Sequence, residues 1–435
     1  MKTKMGFVSH QLQDGVKLWV WPTPKFKNVS IKIVLHRHLA DNTAASALLP
    51  FVNARGTEQW GTTREIALRM ADLYGTRHGS DVMKIGEQQL ITTEVLTVNP
   101  KYVSEPGLLA AALSMAAQLA FYPRMERGQF IDEYLDQEKA LMRQRIAAVI
   151  NDKRGYAHQR FNEAMYATEA ASRYKYGTIE ELEVVTSSSL TEHWQRVRGT
   201  APINVFVVGD IQADEVVDLL LPLLPPRTGT TESIPPAVVK STVAEVKEVI
   251  EHQPINQAIL LLGYRTGITV ADPLYFAALV ANGILGGFPH SKLFVNVREK
   301  ASLAYYASSN LNTTKGTLVA TAGIDPQNYR RAVEIITDQV ASLQGGEITE
   351  AELSATKKGL INQLKSAGDS AGLVIDRTVA GIVRGKILSI DEMVRGIESV
   401  TKDEAVAAAQ RFLLDTVYCL TNQEGREKGE NINPQ

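Results

Sequence analysis

The segment "VREKASLAYYASS", residues 297 to 309, places a guanidinium and a phenol close together in the chain. Arg298 and Tyr305 lie seven residues apart. If the segment runs as a helix end, a turn and a strand, both side chains converge on one loop region. Together they can donate hydrogen bonds to a peptide carbonyl or an oxyanion. The competing reading is a surface Arg on a charged helix and a core Tyr. Just upstream, "GILGGF" carries Gly286 and Gly287. This run follows a helix instead of opening one, so it suits a tight turn or a close backbone approach, not a phosphate cradle.

The other reactive side chains form no recognisable constellation. The histidines are His10, His36, His38, His78, His158, His193, His252 and His290. No two are spaced i, i+4, so no helix presents paired imidazoles to a metal. His36 and His38 share one strand face in "VLHRH"; they could be two ligands, but a strand end with solvated polar residues fits better. His78 and His290 fall in or near glycine-containing loops. No nucleotide loop and no G-x-S-x-G elbow is present. Cys419 is the single cysteine, within "DTVYCLT", and reads as a small core residue. There is thus no disulfide framework and no thiolate cluster.

Composition bounds the setting. The 435 residues are enough for two or more domains, with 44% hydrophobic and 22% charged residues. The 46 basic and 48 acidic residues leave a net charge of −2, which predicts no general affinity for nucleic acid or anionic membrane. The N-terminal stretch has no apolar core of signal-peptide length, and no apolar run is long enough to span a bilayer. A cytoplasmic location is expected.

The elements that must hold these residues follow a repeated order. "LLPPRTGTTESIPPAVVKS", residues 223 to 241, has linker chemistry and divides the chain. The expected domains are 1–222 and 242–421, with a polar tail at 422–435. Each half opens with strands, passes through long helices and closes with a strand: "VKLWVWPT", "NVSIKIVLHRH", "QQLITTEVLTV" and "INVFVVGD", then "NQAILLLGYRT", "GTLVATAGI" and "TVYCLT". Each half also ends in a related helical pair, "GTIEELEVVTSSSLTEHWQRV" and "LSIDEMVRGIESVTKDEAVAAAQRF", with helix-start signals in both. The pattern predicts an α+β fold of two duplicated α/β-sandwich domains, with helices packed on a mostly antiparallel sheet.

Three stretches together carry a family resemblance. "ARGTEQWGTTREIALRMADLYGTRHG", "LGGFPHSKLFVNVREKASLAYYASS" and "FIDEYLDQEKALMRQRIAAVINDKRGYAHQRF" resemble the M16 (pitrilysin- and insulinase-like) metallopeptidase family, and the similarity covers nearly the whole chain. The resemblance implies zinc-dependent cleavage of unfolded peptides inside a chamber. In the family the zinc is held by His-x-x-Glu-His just before a Gly-Thr, plus a distal Glu. Counting back from Gly56-Thr57, those positions fall on Ala47, Pro50 and Phe51. Near the distal position stand Arg143, Gln144 and Arg145. Methyl, pyrrolidine and phenyl groups cannot ligate zinc or activate water, so no cofactor is expected in this chain. Pro50, within "ALLPFVNARGT", is expected to kink the altered helix or to mark an early helix start.

The family also contains heterodimers in which a zinc-less chain lends an Arg and a Tyr to its partner's site. The resemblance maps these onto Arg298 and Tyr305, with Gly286 and Gly287 shaping the adjacent peptide-binding loop. The expected partner is an HxxEH-containing homologue that carries the zinc. The alternative is an M16-like homodimer with a structural or peptide-binding role and no peptidase function.

Overall fold

The computed structural model describes residues 6–39 and 42–422. All but the first residue of the expected polar tail, and the first five residues of the N-terminal stretch, lie outside that range. Among the described residues no helix is long and apolar enough to cross a membrane. The chain forms two compact units. The first comprises residues 1–148, 173–236 and 370–383; the second comprises 149–172, 237–369 and 384–435.

The sheet of the first unit contains β1 (Val8–Gln13), β2 (Val16–Pro22), β3 (Asn28–His38), β4 (Arg77–Ile85) and β5 (Gln88–Val98). A two-stranded ribbon, β6 (Met125–Glu126) and β7 (Gln129–Phe130), stands apart. Then β8 (Ile203–Gly209) completes the order β1-β2-β8-β3-β5-β4. All pairs in this sheet are antiparallel except β2 with β8. Along β3 the pleat turns Ile31, Ile33 and Leu35 into the main core and Lys32 and His36 to the opposite face. The helices Thr43–Asn53, Leu108–Phe121 and Ser187–Thr200 cover the core face.

The second unit repeats this plan. It contains β9 (Lys247–His252), β10 (Ala258–Arg265), β11 (Ala304–Asn312), β12 (Thr317–Ile324) and β13 (Leu413–Thr421), in the order β11-β12-β10-β13-β9. One parallel pair, β13 with β9, is followed by antiparallel neighbours. This matches β2, β8, β3, β5 and β4 strand for strand. The duplication read from the sequence is therefore a duplication of topology, and β4 and β11 are equivalent edge strands. The helices Tyr275–Asn282, Tyr329–Gln344 and Lys402–Ala409 cover its core face. Cys419 lies in this core at 1% exposure, and burial pushes its thiol up to about 12, so it is not a thiolate at neutral pH.

The opposite faces are where each unit takes a segment from the other half of the chain. The helix Lys153–Met165 buries Ala157, Phe161 and Met165 against Ile259, Leu261, Tyr418 and Leu420 of the second sheet. Gly263 of β10 leaves room for this helix, since a Cβ there would sit 2.4 Å from the Phe161 ring. The segment is also fastened by charge. Glu169, at 1% side-chain exposure, forms ion pairs with Lys315 at 2.6 Å and Arg265 at 3.0 Å. In the first unit the helix Ala371–Val383 supplies Asp376, which meets Lys32 of β3 at 2.6 Å. These two covering helices occupy equivalent places in the duplicated order, one between β5 and β8, the other between β12 and β13.

Residues 224–246 carry no helix or strand, as the proline-rich stretch suggests, but they are tied down. Arg227 donates to the carbonyls of Arg198 and Ala201, both at 2.8 Å, and Lys240 pairs with Glu169.

Candidate functional site

The helix Thr43–Asn53 follows β3 and runs unbroken through Pro50. A proline this deep in a helix leaves the carbonyl four residues back, on Ser46, without its usual donor. Burial compensates, because every residue of the helix except Phe51 is buried. Ser46 adds a hydrogen bond between its hydroxyl and His193 Nε2, 2.8 Å apart. Ala47 is fully buried in the main core, and Pro50 is buried with it.

Phe51 alone faces partly outward, and what covers it is specific. The Arg145 guanidinium stacks 4.1 Å from the centre of its ring, and Tyr176 packs edge-on at 6.3 Å. Of the three residues flagged near the distal position, Arg145 is thus the one that meets this helix; Arg143 pairs with Glu183 instead. Both come from the helix Asp132–Ala148. Two turns earlier on it, buried Glu138 accepts from Arg55 at 2.6 Å and lies 3.6 Å from Arg145. One carboxylate thus stands between two guanidinium groups. The spacing of seven residues puts Glu138 and Arg145 on one helix face, a signal present in the sequence but not used there.

These residues do not fit a zinc ion. Ala47, Pro50 and Phe51 present carbon, and Arg145 presents a second cation. Among the described residues no group of three or more His, Cys, Asp or Glu is placed to hold a metal ion. Three of the histidines have side-chain partners of their own: His36, His193 and His290. His36 is not a solvated strand end: it is 3% exposed, with Nδ1 3.1 Å from Gln88 Oε1 and Nε2 3.0 Å from Asn204 Nδ2. Burial pushes its imidazole below the usual value. His78 is the second residue of β4, just after the turn at Gly75. His290 is not isolated, since it stacks on Phe288 and contacts Thr356 Oγ1 at 3.1 Å.

In the second unit the glycine-rich run continues the helix Tyr275–Asn282 as a wider π-helical turn, Gly283–Gly287. Gly286 touches β11 directly: a Cβ there would lie 2.4 Å from the Ser309 amide nitrogen. That is the close backbone approach expected of this run. Gly287 is exposed, and its added Cβ would meet nothing nearer than 3.6 Å.

A second π-helical turn, Phe294–Lys300, carries Arg298 near its end, exposed, with its guanidinium 4.6 Å from the centre of the Phe294 ring. Such turns are rare and concentrate at functional sites. Ser302 then reverses the chain with φ 52°, an uncommon conformation for a residue with a Cβ. The Leu303 amide donates back to the Val297 carbonyl at 3.1 Å, which draws the start of β11 against the residue preceding Arg298. Helix end, turn and strand are therefore arranged as the sequence suggests.

Tyr305 is no core residue. In the β11–β12 register Ala304 faces Ile324 and Tyr306 faces Gly323, so Tyr305 is the extra residue of a β-bulge. Its side chain is 72% exposed on the sheet's edge strand. Tyr306 instead packs inward over Gly323, with Arg154 3.6 Å from its ring centre. Bulges at sheet edges re-aim single side chains in this way.

Comparison with known proteins agrees with this geometry. The family profile described as "Peptidase M16 inactive domain" matches residues 185–360. A relative named "Probable inactive metalloprotease YmfF", from Bacillus subtilis, is 34% identical over 417 residues, covering 94% of this chain and 97% of its own. A crystal structure of a conserved protein from Enterococcus faecalis is 30% identical with a TM-score of 0.87, over 96% of this chain and 99% of that one. The structure of a peptidase M16 inactive domain from Pseudomonas fluorescens shares the fold at 16% identity, with a TM-score of 0.76 over 96% and 99% of the two chains. Duplicated sheets, an altered ligand helix and this degree of similarity together make the chain a member of the M16 peptidase family.

Proposed function

We propose that this chain is the non-catalytic subunit of a zinc-dependent heterodimeric M16-type peptidase. An HxxEH-containing homologue would supply the metal, the water and the general base. This chain would form half of the peptide chamber and present Arg298 and Tyr305 to the partner's site, with Gly286 and Gly287 shaping the adjoining loop. The observation that carries the reading is the β-bulge that turns Tyr305 outward, beside a π-helical turn that leaves Arg298 exposed. A core tyrosine and a helix-surface arginine would need neither device. The replacement of every zinc-binding function on the helix Thr43–Asn53 supports the assignment of catalysis to another chain.

The test is reconstitution. The purified chain is mixed with an HxxEH-containing homologue from the same organism, and cleavage of a fluorogenic peptide is followed. The mixture should exceed the homologue alone. Arg298→Ala and Tyr305→Phe should then lower turnover by about 10²–10³-fold, the usual cost of losing a transition-state donor, while the complex still forms. A mixture no more active than the homologue would sink this reading and leave the homodimeric, peptide-binding alternative.

A further inference from the structure

The second unit holds an open cleft of about 540 Å³ that the functional reading does not use. Its wall is rich in charge: His290, Lys292, Lys300 and Lys402 on one side of the balance, Glu347 and Glu352 on the other. Both carboxylates already have hydrogen-bond donors of their own. Glu352 accepts from the Thr349 amide and hydroxyl, both at 2.8 Å, as the capping box of the helix Glu350–Ala367. Glu347 accepts from the Ser342 hydroxyl at 2.6 Å.

The ammonium groups are less well compensated. Lys292 is buried, with 9% side-chain exposure, yet its Nζ has one acidic neighbour, Glu352, at 3.4 Å. An ammonium has three donors, so a buried one normally finds more partners than this. Lys300 and Lys402 line the same cleft without an ion pair among the described residues. The lining has little to offer an apolar body. Val295 and Ile348 are its aliphatic members, and the His290 ring face is already stacked on Phe288, 5.3 Å away.

We propose that this cleft is a binding site for a compact polyanion carrying at least two oxyanion groups, held by Lys292 at its base and by Lys300 and Lys402 at its rim. Asn296 and Lys300 stand on the same turn as Arg298, so an occupied cleft ties that turn to the loop before the helix Glu350–Ala367. Phosphate groups and carboxylate groups both satisfy the chemistry, and the test separates them.

Pyrophosphate and citrate are titrated separately into the full chain at low salt, by calorimetry. At least one should bind saturably at one site per chain. The tighter of the two assigns the phosphate or the carboxylate source. Hydrogen exchange should slow in residues 292–300 and 346–352 and not elsewhere. The double variant Lys300→Glu, Lys402→Glu changes partly exposed side chains and should fold normally; it should weaken binding by about tenfold or more. Lys292→Met tests the base of the cleft. Non-saturating binding of both probes, unchanged affinity in the double variant, or protection spread over the whole surface would each overturn the site.

Discussion

The guanidinium of Arg145 lies 4.1 Å above the ring of Phe51. A cation thus stacks on the side chain that replaces a metal ligand, and Glu138 is shared between this cation and Arg55. The altered site is a packed arrangement of its own, not a ligand set lacking a metal. Restoring ligands on one helix leaves the positive charge in place. The variant Ala47→His, Pro50→Glu, Phe51→His should therefore gain no stoichiometric zinc by metal analysis. Adding Arg145→Glu removes the cation and supplies a carboxylate, and that fourfold variant should gain the metal. Zinc in the threefold variant would show that Arg145 does not hold the site closed.

Gly286 and Gly287 are neighbours with unequal freedom. A Cβ on Gly286 would press on the Ser309 amide at 2.4 Å and the Ser308 carbonyl carbon at 2.8 Å, both backbone atoms that side-chain rotation cannot relieve. Gly286→Ala should cost about 1–3 kcal/mol in urea unfolding, since the edge strand must shift. Gly287→Ala should stay within about 0.5 kcal/mol of the parent. Equal effects would mean that contact with β11 is not what requires glycine at 286.

His193 links stability to acid. Burial, and then the nearby Arg37 and Arg196, hold its imidazole down at about 3, while an exposed histidine titrates near 6.5. In the unfolded chain the ring therefore takes up a proton first as pH falls. Its contribution is fully present above about pH 6.5 and is lost progressively toward pH 3, at up to about 1.4 kcal/mol per pH unit. Buried His36 shifts in the same direction. Denaturant midpoints measured between pH 7 and pH 4 should fall, and His193→Gln should flatten the slope. An unchanged slope in that variant would assign the acid sensitivity to other groups.

Lys32 gives the opposite sign at high pH. Burial disfavours its charge, but Asp376 and Glu94 outweigh that and raise its pKa above the ordinary lysine value. Its stabilisation is present below about pH 10.5 and is lost as pH rises through the folded value. Asp376→Asn removes one of its two carboxylates and should cost about 1–3 kcal/mol at pH 7. A neutral result would mean that Glu94 alone satisfies the buried ammonium.

Much of this was legible in the chain itself. Strands β3 and β5 can be read to the residue because their apolar alternation is long and ends in polar or turn residues. The helix starts at Thr178, Thr186, Ser389 and Thr401 all cap as their side chains suggest. The outward turn of Tyr305 was not legible. Two adjacent tyrosines on a strand must face opposite ways, and which one faces out depends on a bulge set by the partner strand. Burial of His36 was missed for a related reason: its partners Gln88 and Asn204 come from neighbouring strands, and pairing register is a long-range property. Pro50 sits inside its helix because burial of nearly the whole helix outweighs the hydrogen bond that propensity counts as lost.

The exchange of covering helices constrains the order in which the molecule can be made. A chain leaving the ribosome presents residues 1–148 and 173–236 long before 370–383 exists. Until then Asp376 is missing, and Lys32 has Glu94 as its remaining carboxylate. Residues 149–172 meanwhile wait for a sheet whose strands begin at Lys247 and end at Thr421. The first half is thus a nascent intermediate with an open sheet face and an unplaced amphipathic helix. Completion is mutual: neither unit reaches its final composition until almost the whole chain has been synthesised. A cut in the proline-rich stretch of the finished protein should accordingly yield two fragments that remain associated, whereas expressing either half alone should yield a protein that aggregates.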